Sequence, residues 1–285
     1  MESNNLKDLI EKYLQKTAKY DLNDFINIAS NLMNKDKNTL YLNINNVILS
    51  DSEYKAINNA FFELVEKDRP YQYVLGYKDF YNERYVVNES VLVPRDDTEI
   101  LVEKACNLIN KYDLKNLLDM CTGSGAIGIS IANNSSINSV DMVDISQDAL
   151  KITKQNIRLN NVSDKCKVIN SNLFENIDKE EKYDILVSNP PYIKTSVIST
   201  LEKDVQNEPL IALDGGEDGL DIYKSILTDC KDFLKENAFI LFEIGFDQNE
   251  DLKKLISNID YLDYLETIKD LNNNDRVIVC RFHQI

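Results

Sequence analysis

A chain of 285 residues with a formal net charge of −16 has room for two domains, and its acidity opposes non-specific capture of nucleic acid, which relies on Lys and Arg neutralising phosphates. Hydrophobic residues at 43% and charged residues at 28% are ordinary globular usage, and no apolar run approaches the roughly 20 residues that span a bilayer, so neither disorder nor a membrane protein is indicated. Cys106, Cys121, Cys166, Cys230 and Cys280 form no C-x-x-C pair and His283 is the single histidine, which leaves no ligand set for zinc, no disulfide framework and one candidate base for Ser-His or Cys-His chemistry. No metal is expected, and the start of the chain has neither the basic residues nor the apolar stretch of a signal peptide, so a cytoplasmic location is expected.

Residues 1–68 read as a helical bundle. Leu9, Ile10, Tyr13 and Leu14 recur at helical spacing, as do Phe25, Ala29, Leu32 and Met33 after the N-cap candidate Asp21. A third helix opens at Ser50, with Glu53 completing a capping box, and carries Ile57, Ala60, Phe61, Leu64 and Val65 on one face. Arg69-Pro70 breaks the pattern, and aromatic and β-branched residues follow to Val93, with Tyr81-Asn82-Glu83-Arg84 as a hairpin turn, so residues 69–93 read as a β-hairpin linker.

Residues 94–285 alternate strands with helices, the pattern of a mostly parallel sheet covered on both faces. Strands are predicted at Asn116–Met120, Ser139–Asp144, Cys166–Ile169, Tyr183–Ser188 and Ala238–Glu243, with the clearest helix over Gln147–Asn160. Two further strand-like runs after Leu262, ending in Arg276–Phe282, predict an antiparallel C-terminal edge.

Two motifs carry chemistry. Asp119-Met120-Cys121-Thr122-Gly123-Ser124-Gly125 places a glycine-rich turn between the first predicted strand and a helix, and Asp144 ends the next strand, where a carboxylate can accept from both hydroxyls of a ribose. Gly123, Gly125 and Gly128 also satisfy G-x-G-x-x-G, so a dinucleotide-dependent dehydrogenase passes the same test; an acidic surround including Asp119 and Asp144 suits a cationic sulfonium better than two phosphates. The second motif, Asn189-Pro190-Pro191-Tyr192, follows the apolar run Tyr183–Ser188. Two prolines have fixed φ and no N–H, leaving rigid carbonyl acceptors, and the Asn189 amide adds another. Two acceptors in one plane can hold a planar NH2 group with its lone pair turned outward for attack on an electrophilic methyl group. A Pro-rich turn that merely ends a strand is the plain alternative for Pro-Pro alone.

With both motifs present the chain resembles the class I S-adenosylmethionine methyltransferases, and within them the HemK/PrmC family, which methylates a glutamine side-chain amide in peptide chain release factors and so bears on translation termination. The resemblance extends to Pro70-Tyr71-Gln72-Tyr73-Val74-Leu75-Gly76, to the arginine motif Val93-Pro94-Arg95-Asp96-Asp97-Thr98-Glu99, and to the C-terminal Asp275-Arg276-Val277. It implies a Rossmann-like catalytic domain after a small substrate-recognising bundle. It also implies S-adenosylmethionine held by Asp119, Cys121, Thr122, Gly123, Ser124, Gly125, Asp144, Asn172, Leu173 and Asn189. Asn189 and the Pro190 carbonyl would act as the catalytic acceptors for the glutamine amide, with Pro191 and Tyr192 beside them. Cys121 stands where the family usually has glycine, Asp96 where it often has proline, and Asn172 where an acidic residue often meets adenine. At this point an adenine N6-methyltransferase acting on DNA or RNA, whose substrate amine has the same shape, and a non-catalytic S-adenosylmethionine-binding module remain alternatives. Release factors are the expected partners, with no direct nucleic-acid or membrane contact.

Overall fold

The computed structural model describes residues 4–284. The chain divides into two compact units, one running up to Gly76 and taking back Glu202–Asn207, the other made of Tyr77–Leu201 and everything from Glu208. In chain order the elements are helices α1 (Leu6–Leu14), α2 (Leu22–Met33), α3 (Lys37–Asn43), α4 (Asp51–Glu66) and α5 (Tyr71–Leu75), and strands β1 (Tyr77–Phe80) and β2 (Glu83–Val86). Then come α6 (Glu99–Tyr112), β3 (Asn116–Met120), α7 (Ala126–Asn134), β4 (Ser139–Asp144), α8 (Gln147–Leu159), β5 (Cys166–Asn170) and β6 (Tyr183–Ser188). The remainder is α9 (Thr195–Ile198), α10 (Lys203–Gln206), α11 (Asp221–Asp229), β7 (Leu234–Glu243), α12 (Asn249–Ser257), β8 (Leu262–Lys269) and β9 (Asp275–Phe282).

In the first unit both expected caps form. Asp21 and Ser50 accept from the backbone N–H groups three residues on, while Asp24 and Glu53 reach back to the cap N–H, which satisfies otherwise orphaned donors. The core gathers Ile10 and Tyr13 from α1, Phe25, Ile28 and Ala29 from α2, and Ile57, Phe61 and Leu64 from α4, with Phe25 and Phe61 edge-on at 4.7 Å between ring centroids. Leu32, expected on the core face, is exposed, because Ile26 and Ile28 fill the packed side of α2 instead. Tyr71 to Leu75 is also a helix rather than the start of a β segment. Pro70 caps it without needing an N–H, Gly76 closes it at φ 84°, and Asn27 and Asn31 of α2 donate to the Tyr71 hydroxyl and the Leu75 carbonyl, each at 2.9 Å. Tertiary hydrogen bonds thus override the β propensity of these aromatics.

The second unit holds a seven-stranded sheet in the order β5-β4-β3-β6-β7-β9-β8, parallel except where β9 runs against both β7 and β8. Period-two alternation divides its apolar residues between two faces. Leu117, Val140, Ile185, Val187 and Leu241 pack under α6, α7 and α8, whereas Leu118, Met120, Leu186, Ile240 and Phe242 meet α11 and α12. The β1–β2 hairpin turns at Tyr81-Asn82, and Glu83 and Arg84, read as turn residues, already belong to β2. It does not stand apart as a linker. Phe80 and Tyr85 are buried in the core under α7, and the Tyr85 hydroxyl meets Ser130 at 2.6 Å. No described helix is long and apolar enough to cross a membrane.

Candidate active site

Strand β3 has β4 on one side and β6 on the other, so the chain leaves β3 at the point where strand order reverses, which opens a crevice at the carboxyl edge of the sheet. Register brings three strand ends level there: Met120 pairs with Val143 on one side and with Ser188 on the other. The glycine-rich turn, Asp144 and Asn189, far apart in sequence, therefore border one cavity of about 190 Å³.

Cys121, Thr122, Gly123, Ser124, Asp144, Asn172, Leu173, Asn189 and Pro191 line it. The glycine turn is anchored from behind by α8: Thr153 donates to the Gly123 carbonyl at 2.8 Å, and Asn156 donates to that of Ser124 at 2.8 Å and joins the turn to the hairpin through both backbone groups of Val86. Asp144 accepts from the N–H groups of Gly123 at 2.9 Å and Ser146 at 2.8 Å. Burial nevertheless raises its pKa, partly offset by these hydrogen bonds, so a cationic or hydroxyl-bearing ligand would favour its charged form. Cys121 adopts φ 61°, the left-handed conformation that explains why glycine is usual there. Asn172 spends its amide nitrogen on Glu175 at 2.8 Å, which leaves the oxygen as its acceptor.

Four of the residues assigned from sequence do not line the cavity. Asp119 is fully buried behind the turn, where one oxygen accepts from the Thr122 hydroxyl at 2.5 Å and from the Gly128 N–H at 3.1 Å near the start of α7, while Oδ1 has no hydrogen-bond partner. Its pKa is pushed up to about 7, chiefly by burial. It supports the turn rather than facing a ligand, because it shares a sheet face with Leu117, under α7. Gly125 caps α7 from inside, with Thr153, Ile129 and Met142 crowding its Cα. Pro190 is buried beside the cavity, and Tyr192 turns the other way, its hydroxyl 3.5 Å from Glu243 and its carbonyl held by Gln248 at 3.0 Å.

Several lining residues carried no separate signal in the sequence. Thr98, in the arginine motif, accepts from the Asn189 amide nitrogen at 3.4 Å, and Val91, Ile145 and Ile211 supply apolar wall. With its nitrogen on Thr98, Asn189 has its oxygen left to accept. Among the described residues no group donates to the Pro190 carbonyl.

Comparison with known proteins agrees with this arrangement. Residues 96–208 match the family model "Methyltransferase small domain". The release factor glutamine methyltransferase of Fusobacterium nucleatum is 38% identical over 255 residues, covering 89% of this chain and 71% of that protein, and that of Clostridium acetobutylicum is 39% identical over 241 residues, covering 82% and 84%. Among solved structures, the hMettl16 catalytic domain superposes with a TM-score of 0.55 at 14% identity over 82% of each chain, a likeness of fold alone. A glycine turn, an acidic strand end and Asn189 and Pro191 of the Asn-Pro-Pro-Tyr loop on one cavity, together with relatives this similar over most of their length, place the chain in the release factor glutamine methyltransferase family.

Proposed function

We propose that this protein methylates the side-chain nitrogen of the glutamine in the Gly-Gly-Gln motif of peptide chain release factors, with S-adenosylmethionine as donor. The observation that carries the reading is Asn189, its nitrogen on Thr98 and its oxygen left to accept, on the wall of a cavity that also holds Asp144 and the glycine turn. The cavity fits the donor by two tests. A Cβ built on Gly123 meets nothing within 4 Å, so the backbone there borders open space, and of the two charged residues on the wall Arg95 is already paired with Glu208 while Asp144 is an acid that a sulfonium and an ammonium would favour in ionised form. Asp144 would hold the ribose hydroxyls, Leu173 and Ile145 the apolar face of the base, and the Asn172 oxygen its amino group.

When bound, the donor supplies an electrophilic methyl group on a positively charged sulfur. A carboxamide nitrogen is a weak nucleophile because its lone pair is delocalised into the carbonyl, so the protein's contribution is alignment and electrostatics. The Asn189 oxygen and the Pro190 carbonyl accept the two amide protons, which concentrates electron density on nitrogen and fixes its direction. On transfer nitrogen would gain the bond to the methyl carbon, the donor would leave as a neutral thioether, and a proton would leave nitrogen afterwards, so no strong base is required. Labelled S-adenosylmethionine mixed with a release factor, its Gln→Ala variant, or structured nucleic acid tests this. Label on the intact factor alone supports the reading, and label on nucleic acid overturns it.

Two glycines separate ligand room from fold. Gly125→Ala puts a Cβ within about 3 Å of Thr153, Ile129 and Met142 at φ 85° and is expected to destabilise the fold by about 1–3 kcal/mol in denaturant titration. Gly123→Ala at φ 56° is expected to cost about 1 kcal/mol of stability but to weaken donor binding, measured by calorimetry, at least tenfold, because its new methyl enters the cavity. In the first unit Leu42 is 79% and Ile48 68% exposed, two apolar side chains open to contact with a protein substrate. Leu42→Asp with Ile48→Asp is expected to raise KM for a folded release factor several-fold while leaving a short glutamine peptide unaffected; equal effects on both would make this unit a stabilising cap.

A further inference from the structure

The loop that carries Asn189 is backed by a segment with no part in the chemistry above. After Tyr192 the chain forms a parallel bridge between Ile193 and Asp214: the Ile193 N–H donates to the Leu213 carbonyl at 2.9 Å, and the Gly215 N–H donates to the Ile193 carbonyl at 2.8 Å. The Gly215 carbonyl accepts from the Asp221 N–H at 3.1 Å, which ties this segment to the start of α11. Gly215 lies so close to the loop that a Cβ on it would stand 2.7 Å from the Tyr192 Cα and 2.8 Å from the Pro191 carbonyl oxygen. Both obstacles are backbone, which no change of rotamer clears. A second hold comes from Gln248, 4% exposed just before α12. Its nitrogen donates to the carbonyls of Tyr192 at 3.0 Å and Gly219 at 3.1 Å, and its oxygen accepts from the Gly245 N–H at 2.9 Å.

Two consecutive prolines carry these holds back toward the reacting end of the loop. The ring fixes φ of Pro191 and the peptide bonds on either side of it are planar, so between the Pro190 carbonyl and the Tyr192 Cα the one soft torsion is ψ of Pro191. Gly215 lies against the two atoms whose places that torsion sets, and Gln248 holds the next carbonyl along. At its other end the loop leaves β6, where the Ser188 hydroxyl donates to the Met120 carbonyl at 2.6 Å. We infer that Gly215 and Gln248 are positioning residues for methyl transfer, which fix the shape of the Asn-Pro-Pro-Tyr loop and with it the direction of the Pro190 carbonyl. The inference rests on the methyl-transfer reading above, which gives that carbonyl to one proton of the substrate amide.

A methyl group at position 215 forces the issue. Ordinary carbon contacts begin at about 3.4 Å, so one of the two backbones must move by roughly 0.7 Å, and with φ of both prolines locked the loop cannot absorb that shift locally. Gly216, next in the chain, supplies the control. Its φ of 91° also disfavours a side chain, but the three atoms nearest to a Cβ there all belong to the Asp221 side chain and none to the loop.

The test uses the full chain with labelled S-adenosylmethionine and a release factor, reading kcat and KM, donor affinity by calorimetry, and the urea midpoint of each variant. Gly215→Ala is expected to lower kcat roughly tenfold to a hundredfold, the scale of a misplacement near 1 Å, with KM and donor affinity within about threefold of wild type. Gln248→Glu keeps the shape but replaces the NH2 group by oxygen; it is expected to lower kcat in the same way, and it decides the matter if Gly215→Ala does not fold. Gly216→Ala is expected to lose stability while keeping kcat within about twofold. Wild-type kcat in folded Gly215→Ala or in Gln248→Glu, a loss of donor affinity as large as the loss of kcat, or an equal fall of kcat in Gly216→Ala would overturn the inference. A wild-type enzyme that methylates no release factor would instead overturn the reading on which it rests.

Discussion

Replacing Asn189 by Ala is expected to lower kcat about a hundredfold, close to 3 kcal/mol of transition-state stabilisation, while donor affinity changes by much less. The asymmetry follows from where the residue stands. Asn189 joins β6 to the proline loop on the rim of the cavity, whereas the donor's expected contacts are spread over the glycine turn, Asp144, Asn172 and Leu173. Removal of one preorganised acceptor leaves most of the binding surface intact but takes away the group that fixes the substrate nitrogen. The loop itself should survive the change, since Ser188 is held to the Met120 carbonyl at 2.6 Å and Gln248 holds the Tyr192 carbonyl. Single-turnover kinetics with saturating donor are the direct measurement, and near-normal turnover would remove Asn189 from the mechanism.

The ligand-free protein is expected to lose stability as pH rises from about 5 to 8. Asp119 and Glu243 are fully buried acids whose pKa values are both raised to about 7 by burial. For a raised acid the folded state holds its proton where the unfolded chain has released it, so stability is fully present below the unfolded pKa near 4 and declines until the folded pKa is passed. Each acid contributes on the order of 3 kcal/mol to that decline. Acids with lowered pKa, such as Asp184 with Lys235 and the N-H groups of Lys115 and Asn116, or Asp270 at about 2, act in the opposite sense but at lower pH, below the unfolded carboxylate value. Between 5 and 8 the two buried acids therefore dominate. Urea titrations at pH 5.5 and 8 measure the effect, and Asp119→Asn with Glu243→Gln should flatten it. Bound S-adenosylmethionine, whose positive sulfur favours ionised acids nearby, is expected to shrink the Asp119 part. A protein more stable at pH 8 than at pH 5.5 would mean that these acids are ionised and compensated in the fold.

Much of the site was legible in the sequence because its parts are local. A glycine turn followed by a helix, an acid at a strand end, and an amide followed by two prolines each declare their backbone geometry within a few residues. That Asp119, Gly125 and Tyr192 do not line the cavity was not legible locally, because adjacency to a motif does not say which side of the sheet or loop a side chain takes. Asp119 points under α7 and Tyr192 toward Glu243 because strand register and packing, not chain neighbours, set those directions.

By itself the sequence determined the capping boxes at Asp21 and Ser50, the strand segments β3, β4 and β6, and the place of the Asn-Pro-Pro-Tyr loop at the end of β6, since hydrogen-bond caps, period-two burial and proline geometry act over a few residues. Only the tertiary structure decided that Tyr71–Leu75 is helical and that the β1–β2 hairpin belongs to the unit that holds the seven-stranded sheet. It alone brought Thr98 and Asn189, ninety-one positions apart, within hydrogen-bond reach at the cavity. Those outcomes depend on strand order and on hydrogen bonds between residues tens of positions apart, for which local propensity carries no information.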